Sequence, residues 1–140
     1  MPEERFDVRF DPDAEDEYNR LDGSVLGIVN KVIDELVQRA DEVGKALRNN
    51  NETKLAGCRE IKLRDAGIRI VYRVTDQVVD VLRIVHILTI ERRTSDMAFK
   101  IAHSRMKIFR KLTKEEARKL HAKQKRWEEM MRRKGSKQME

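Results

Sequence analysis

Near Arg59 the spacing of apolar residues changes from a helical period to a strand period. Upstream, Ala14, Tyr18 and Leu21, and then Val25, Val29, Val32, Ile33 and Leu36, recur at the three- and four-residue steps of one helical face. Downstream, Ile61 and Leu63 alternate with Glu60, Lys62 and Arg64, and Ile68, Ile70, Tyr72 and Val74 alternate with Arg69, Val71 and Arg73. With a strand before the helices and a helix after the sheet, the order is that of an α+β domain.

Local signals place the breaks. Phe6, Val8 and Phe10 alternate with Asp7 and Arg9, as in a half-buried strand, and Asp11-Pro12 ends it, with Asp11 as N-cap and Pro12 at the first helical position. The first helix closes near Asp22-Gly23 and Ser24 can cap the second, which makes a helical hairpin. Residues 41–53, with Gly44 and three successive asparagines, form a polar connection. In the β-hairpin, pairing Arg64 with Arg69 around an Ala66-Gly67 turn puts Ile61, Leu63, Ile70 and Tyr72 on one face and Lys62, Arg64, Arg69 and Arg73 on the other. A third strand over 78–88 is apolar on both sides, as a central strand is. Thr94-Ser95-Asp96 can cap a helix carrying Ala98, Ile101, Ala102, Met106 and Phe109. The Thr113-Lys114-Glu115-Glu116 capping box opens a last helix, to about residue 133, with only Leu120, Trp127 and Met131 as its apolar stripe. The expected fold is therefore an N-terminal strand and helical hairpin packed on a small antiparallel sheet, followed by a C-terminal helix. The domain spans 1–106 and a basic helical extension, projecting from it, spans 107–140.

Charge sharpens that division. Residues 1–53 carry 7 Lys and Arg against 14 Asp and Glu, 54–105 carry 11 against 6, and 107–140 carry 13 against 5. The overall +6 thus hides a gradient whose basic end suits a polyanion such as nucleic acid. The 140 residues make one core. No apolar run reaches the ~18 residues of a membrane span, and the acidic, alternating start is unlike a signal peptide, so neither membrane insertion nor secretion is expected. Cys58 is the single cysteine, which excludes an internal disulfide and a cysteine zinc site and suits a reducing cytoplasm.

The chain has no glycine-rich phosphate loop, no Cys or His pair at metal spacing and no serine in a nucleophile elbow. His86, His103 and His121 are scattered over a strand and two helices and are expected to be structural. The cationic sheet face remains. Guanidinium groups bind phosphate oxygens bidentately and a lysine can neutralise the charge of a phosphoryl transition state, so such a face can cleave RNA through the neighbouring 2′-OH without a metal or other cofactor. It can equally be a solvated face or bind an acidic partner.

At these strands the chain resembles a known family. CREIKLRDAGIRIVYRVTDQ over 58–77 looks like the core signature of RelE-family toxins of bacterial toxin-antitoxin systems. GKAL (44–47), KLAGC (54–58) and ERRTSDMAFKIAHSRM (91–106) fit the family's other landmarks. The resemblance covers residues 6–106. It implies a cytoplasmic toxin, an endoribonuclease that enters the ribosomal A site, cuts mRNA by 2′-OH attack and is neutralised by a cognate antitoxin. Lys62 then matches the proton-transfer or charge-stabilising lysine, Arg69 the arginine on the scissile phosphate, and Arg92 or Arg93 the second phosphate arginine. Lys54, Arg64, Arg73 and Phe99 are expected RNA contacts. Two positions depart from the nuclease pattern: Glu60 replaces a lysine, and Phe99 replaces a tyrosine. Glu60 itself can take the base role. The alternatives are the related ParE type, which poisons DNA gyrase, and a non-catalytic nucleic-acid binder of the same fold.

Overall fold

The computed structural model describes residues 5–50, 53–79, 81–92 and 97–131. The expected Thr94-Ser95-Asp96 cap and Arg93 lie outside them. Strand β1 (Phe6–Phe10) leads into α1 (Pro12–Asn19), where the Asp11 side chain accepts from the Asp13 N–H and Pro12 takes the first turn. Helix α2 spans Gly23–Arg39 and its cap is Asp22, whose carboxylate accepts from the Ser24 and Val25 N–H groups; Ser24, the expected cap, is the next helical residue. The 41–53 connection holds a short strand, β2 (Lys45–Ala46). Next come β3 (Cys58–Leu63), β4 (Ile68–Val79), β5 (Leu82–Arg92), α3 (Met97–Arg110), α4 (Lys114–Lys123) and β6 (Lys125–Arg126).

Among the described residues the strands form one mixed sheet in the order β2-β3-β4-β5-β1-β6. Most pairs are antiparallel, but β1 lies parallel to β5, because the helical hairpin carries the chain away before the antiparallel run begins. The β3–β4 ladder pairs Leu63 with Ile68 and Lys62 with Arg69 around a 64–67 turn. That register lies two residues from the expected one. A two-residue slip preserves the faces, so Ile61, Ile70 and Tyr72 still pack together and Lys62 and Arg69 still oppose them. Strand β4 continues through Thr75-Asp76-Gln77, between the second and third expected strands, because a register shift between Val74 and Val78 takes up the polar residues and the Thr75 hydroxyl donates to the Ile84 carbonyl at 2.8 Å. Val78 consequently belongs to the end of β4, which closes at Val79, rather than opening the third strand, and β5 runs on to Arg92.

Helices α1 and α2 cover one face of the sheet over a core of Phe6, Phe10, Tyr18, Ile33, Leu36, Ile70, Tyr72 and Ile87. Helix α3 covers the other with a smaller cluster: Leu55, Cys58, Val71, Leu88, Ala98 and Ala102.

The described part of the basic extension, up to residue 131, packs on the domain instead of projecting. The capping box forms at Thr113 as expected, but α4 ends at Lys123. Lys125 and Arg126 then pair with Phe10 and Arg9 of β1. Trp127 follows, 3% exposed, against Phe10 and Tyr18 at ring distances of 6.1 and 5.6 Å, with its N–H donating to Asp34 at 3.0 Å. The boundary expected at 106 falls inside α3, and the described residues up to 131 pack as part of the domain. This also buries β1 on both faces. Asp7 and Arg9, expected to face solvent, pair at 2.8 Å, with Arg9 donating to the His121 carbonyl and Arg126 3.2 Å from Asp7.

Candidate active site

One cleft gathers charged side chains at the β2 edge of the sheet. It encloses about 630 Å3 between β2, β3, β4 and α3, with Lys45, Arg48, Glu60, Lys62, Arg69 and Phe99 in its walls. Its floor is set by strand alternation: Glu60 and Lys62 share the α3 face of β3, and Arg69 sits directly across the ladder from Lys62. Its wall is set by Gly44. There φ is +76° and a Cβ would stand 2.8 Å from the Glu60 carbonyl, so only glycine lets the chain turn this close and place Lys45 opposite Glu60. The Tyr72 hydroxyl, 2.8 Å from the Ala40 carbonyl and 2.7 Å from that of Val43, anchors the same turn from below, and burial pushes its pKa up to about 12.

The Glu60 carboxylate is the centre of the site. Its side chain is 4% exposed, with Arg69 Nε 3.1 Å from Oε2 and Lys62 Nζ 3.6 Å from Oε1. Neither Glu60 Oε2 nor Arg69 Nε closes a hydrogen bond among the described residues. A buried carboxylate is tolerated only with counter-charge, and two cations supply it here while hydrogen-bonding capacity stays open. The Arg69 guanidinium lies 4.4 Å from the Phe99 ring centroid, a cation–π contact that holds it in place.

Other expected site residues are elsewhere. Arg64 is exposed in the hairpin turn. Arg92 pairs with Ile68 and lines a separate cleft on the α1–α2 side with Arg20 and Asp22. The Lys54 backbone N–H donates to His103 at 2.8 Å. Arg73 shares the sheet face of Arg69 but is no free cation: half-buried, it lies 4.7 Å over the Phe109 ring and donates to His86 Nδ1 at 3.0 Å and His121 Nε2 at 2.9 Å. Arginine only donates, so both ring nitrogens accept and both histidines are neutral. Burial pushes the pKa of each down to about 4. Lys45 and Arg48 were missed because a two-residue edge strand leaves no periodic trace. The GKAL run, which contains Lys45 and ends just before Arg48, was the one signal in the sequence.

At the far edge of β5, where β1 gives way to α1, the Glu17 carboxylate accepts from the Ile90 N–H, the Thr89 hydroxyl and Arg105. Burial alone would raise its pKa, but the hydrogen bonds to Arg105, Glu91 and Ile90 together with the Arg105 charge outweigh that and hold it down. Burial and the neighbouring Glu17 in turn raise Glu91 to about 7.

A family model described as the ParE toxin of the type II toxin-antitoxin system, parDE, matches residues 8–88. No curated protein matches the chain. Among solved structures, a mutant of the E. coli toxin RelE in the free state is similar over 79% of this chain and 100% of that one, at 24% identity and a TM-score of 0.55, a likeness of fold. The isolated E. coli RelE toxin aligns with 72% of this chain and 98% of its own at 26% identity and a TM-score of 0.49. A chain of the toxin-antitoxin complex RelBE2 from Mycobacterium tuberculosis aligns with 64% and 99% at 27% identity and a TM-score of 0.48.

Proposed function

The chain belongs to the ParE toxin family of type II toxin-antitoxin systems, and we propose that it is a cytoplasmic toxin that cleaves mRNA in the ribosomal A site and is held inactive by a cognate antitoxin. The observation that carries this reading is the buried Glu60 carboxylate between Lys62 and Arg69 at the floor of a cation-walled cleft. Arg69 holds the scissile phosphate and Glu60 takes the 2′-OH proton. The 2′ oxygen attacks phosphorus, the bond from phosphorus to the 5′ oxygen breaks, and Lys62 gives that oxygen its proton. The products are a 2′,3′-cyclic phosphate and a 5′-OH. Lys45 and Arg48 bind flanking phosphates, and the Phe99 edge that Arg69 leaves free offers a nucleobase an apolar contact. Arg92 lies outside this cleft, so in this mechanism it acts at most on RNA passing around the hairpin turn with Arg64.

A second reading has its own support. The matching family is the ParE type, which makes gyrase the competing target. Induction of the chain followed by mapping of mRNA 5′ ends, with gyrase supercoiling assayed in parallel, decides between them. Cuts at fixed codon positions that vanish in Glu60→Gln support the nuclease. Trapped gyrase–DNA complexes without such cuts support the other.

A further inference from the structure

On the α3 side of the fold, at the opposite edge of the sheet from the RNA cleft, an apolar hollow of about 360 Å3 opens between α1, α3 and α4. Pro12, Ile108, Phe109 and Leu120 wall it. Ile108 stands at its rim, 60% exposed. A single exposed isoleucine is ordinary; one at the mouth of a concave apolar site of ligand-pocket size is a contact surface waiting for cover.

The charge around it selects the occupant. Residues 97–123 hold nine Lys and Arg against two Glu. Lys123 lines the hollow, Lys107 precedes Ile108 in α3, Lys111 follows in the turn just after that helix, and Lys119 lies one turn before Lys123 in α4. Asp11 and Asp13, the acids at the wall, share Arg105 at 4.0 and 3.8 Å with Glu17 at 2.9 Å, and Glu115 pairs with Arg118 at 2.8 Å. That leaves Lys107, Lys111, Lys119 and Lys123 exposed and without an ion pair among the described residues. A second copy of the chain would set one lysine rim against another. The chain's own last residues, RRKGSKQME, carry the same sign. A nucleic-acid strand suits the lysines but not the apolar floor, where the Phe109 ring is already packed against His86 and His121 at 4.7 and 4.8 Å.

We propose that this hollow docks an acidic segment of a partner protein, which seats a bulky apolar side chain against Ile108, Phe109 and Leu120 and lays its carboxylates on Lys107, Lys111, Lys119 and Lys123. The site is separate from the RNA cleft, so the protein can meet a polypeptide and RNA at once.

The test uses a fluorescein-labelled sixteen-residue helical peptide, Glu-rich with one leucine face, a Lys-rich peptide with the same leucine face, and oligouridylate, each titrated by anisotropy against the full chain. The Glu-rich peptide is expected to bind with a micromolar constant, to weaken at least tenfold in both Ile108→Ser and Lys123→Glu, and to leave oligouridylate binding unchanged; the Lys-rich peptide is expected not to bind. Melting curves check that both variants fold, and neither residue belongs to the RNA cleft, so failure here leaves the nuclease reading standing. Absence of Glu-rich binding, affinity indifferent to Ile108→Ser, competition by oligouridylate, or a self-dimer lost in Ile108→Ser would each overturn the proposal.

Discussion

Arg69 Nε stands 3.1 Å from Glu60 Oε2 across the β3–β4 ladder, and the two side chains are 11% and 4% exposed. Because the pair is buried, the residues cannot be treated as independent surface groups. Glu60→Gln keeps the shape of the site and removes the proposed base, so single-turnover cleavage on programmed ribosomes is expected to fall on the order of a hundredfold to ten-thousandfold, with a lowered melting temperature because Arg69 loses its counter-charge.

Arg69→Ala removes the counter-charge as well as the phosphate ligand. It is expected to cost about 2 to 4 kcal/mol of transition-state stabilisation and, by stranding Glu60, about 3 kcal/mol of fold stability. The double variant with Glu60→Gln should recover most of the stability and none of the cleavage. Lys62→Ala, with its side chain 34% exposed, should lose cleavage without that stability loss. Denaturant titration beside the rate measurement separates the two effects.

Gly44→Ala is expected to destabilise the fold by about 1 to 3 kcal/mol, since the positive φ is strained for alanine and the added methyl meets the Glu60 carbonyl. The displaced β2 edge should also weaken RNA binding, measured by anisotropy on oligouridylate. Unchanged stability would show that the turn has another conformation available.

Trp127→Ala is expected to cost about 3 to 5 kcal/mol. It opens a cavity between Phe10 and Tyr18 and leaves Asp34 without its N–H donor. Truncation after Met106, which a projecting tail would tolerate, should unfold the domain by exposing Arg9 and Asp7 as well. Circular dichroism of the truncated chain checks this.

Acid should unlock the same region. His86 and His121 have pKa values near 4 in the fold against about 6.5 unfolded, so between those limits the unfolded chain binds more protons. Their contribution is complete above about pH 6.5 and is lost as the pH falls toward 4, on the order of 3 kcal/mol for each. Protonation would put two more cations beside Arg73, with Arg9 and Arg105 near. Equilibrium unfolding from pH 7 to 4 should show the slope, and His121→Gln should flatten it by about half.

The change of period at Arg59, the Asp11-Pro12 stop and the Thr113 capping box are local facts. They were sufficient to place strands, helices and the common face of Lys62 and Arg69, because side-chain alternation and backbone capping depend only on near neighbours. The two-residue register slip, the run of β4 through Thr75-Asp76-Gln77 and the strand at Lys125 were decided by cross-strand hydrogen bonds that no local pattern encodes. So were the functional distinctions. Arg69 and Arg73 are equivalent in the alternation, yet one lines the charged cleft and the other is tied to His86 and His121, because α4 brings His121 to only one end of that face. Asp7 and Arg9 look solvated until Arg126 and the His121 carbonyl arrive from more than a hundred residues away. Burial is a property of what packs on a strand, and that was settled only when the chain after α3 folded back.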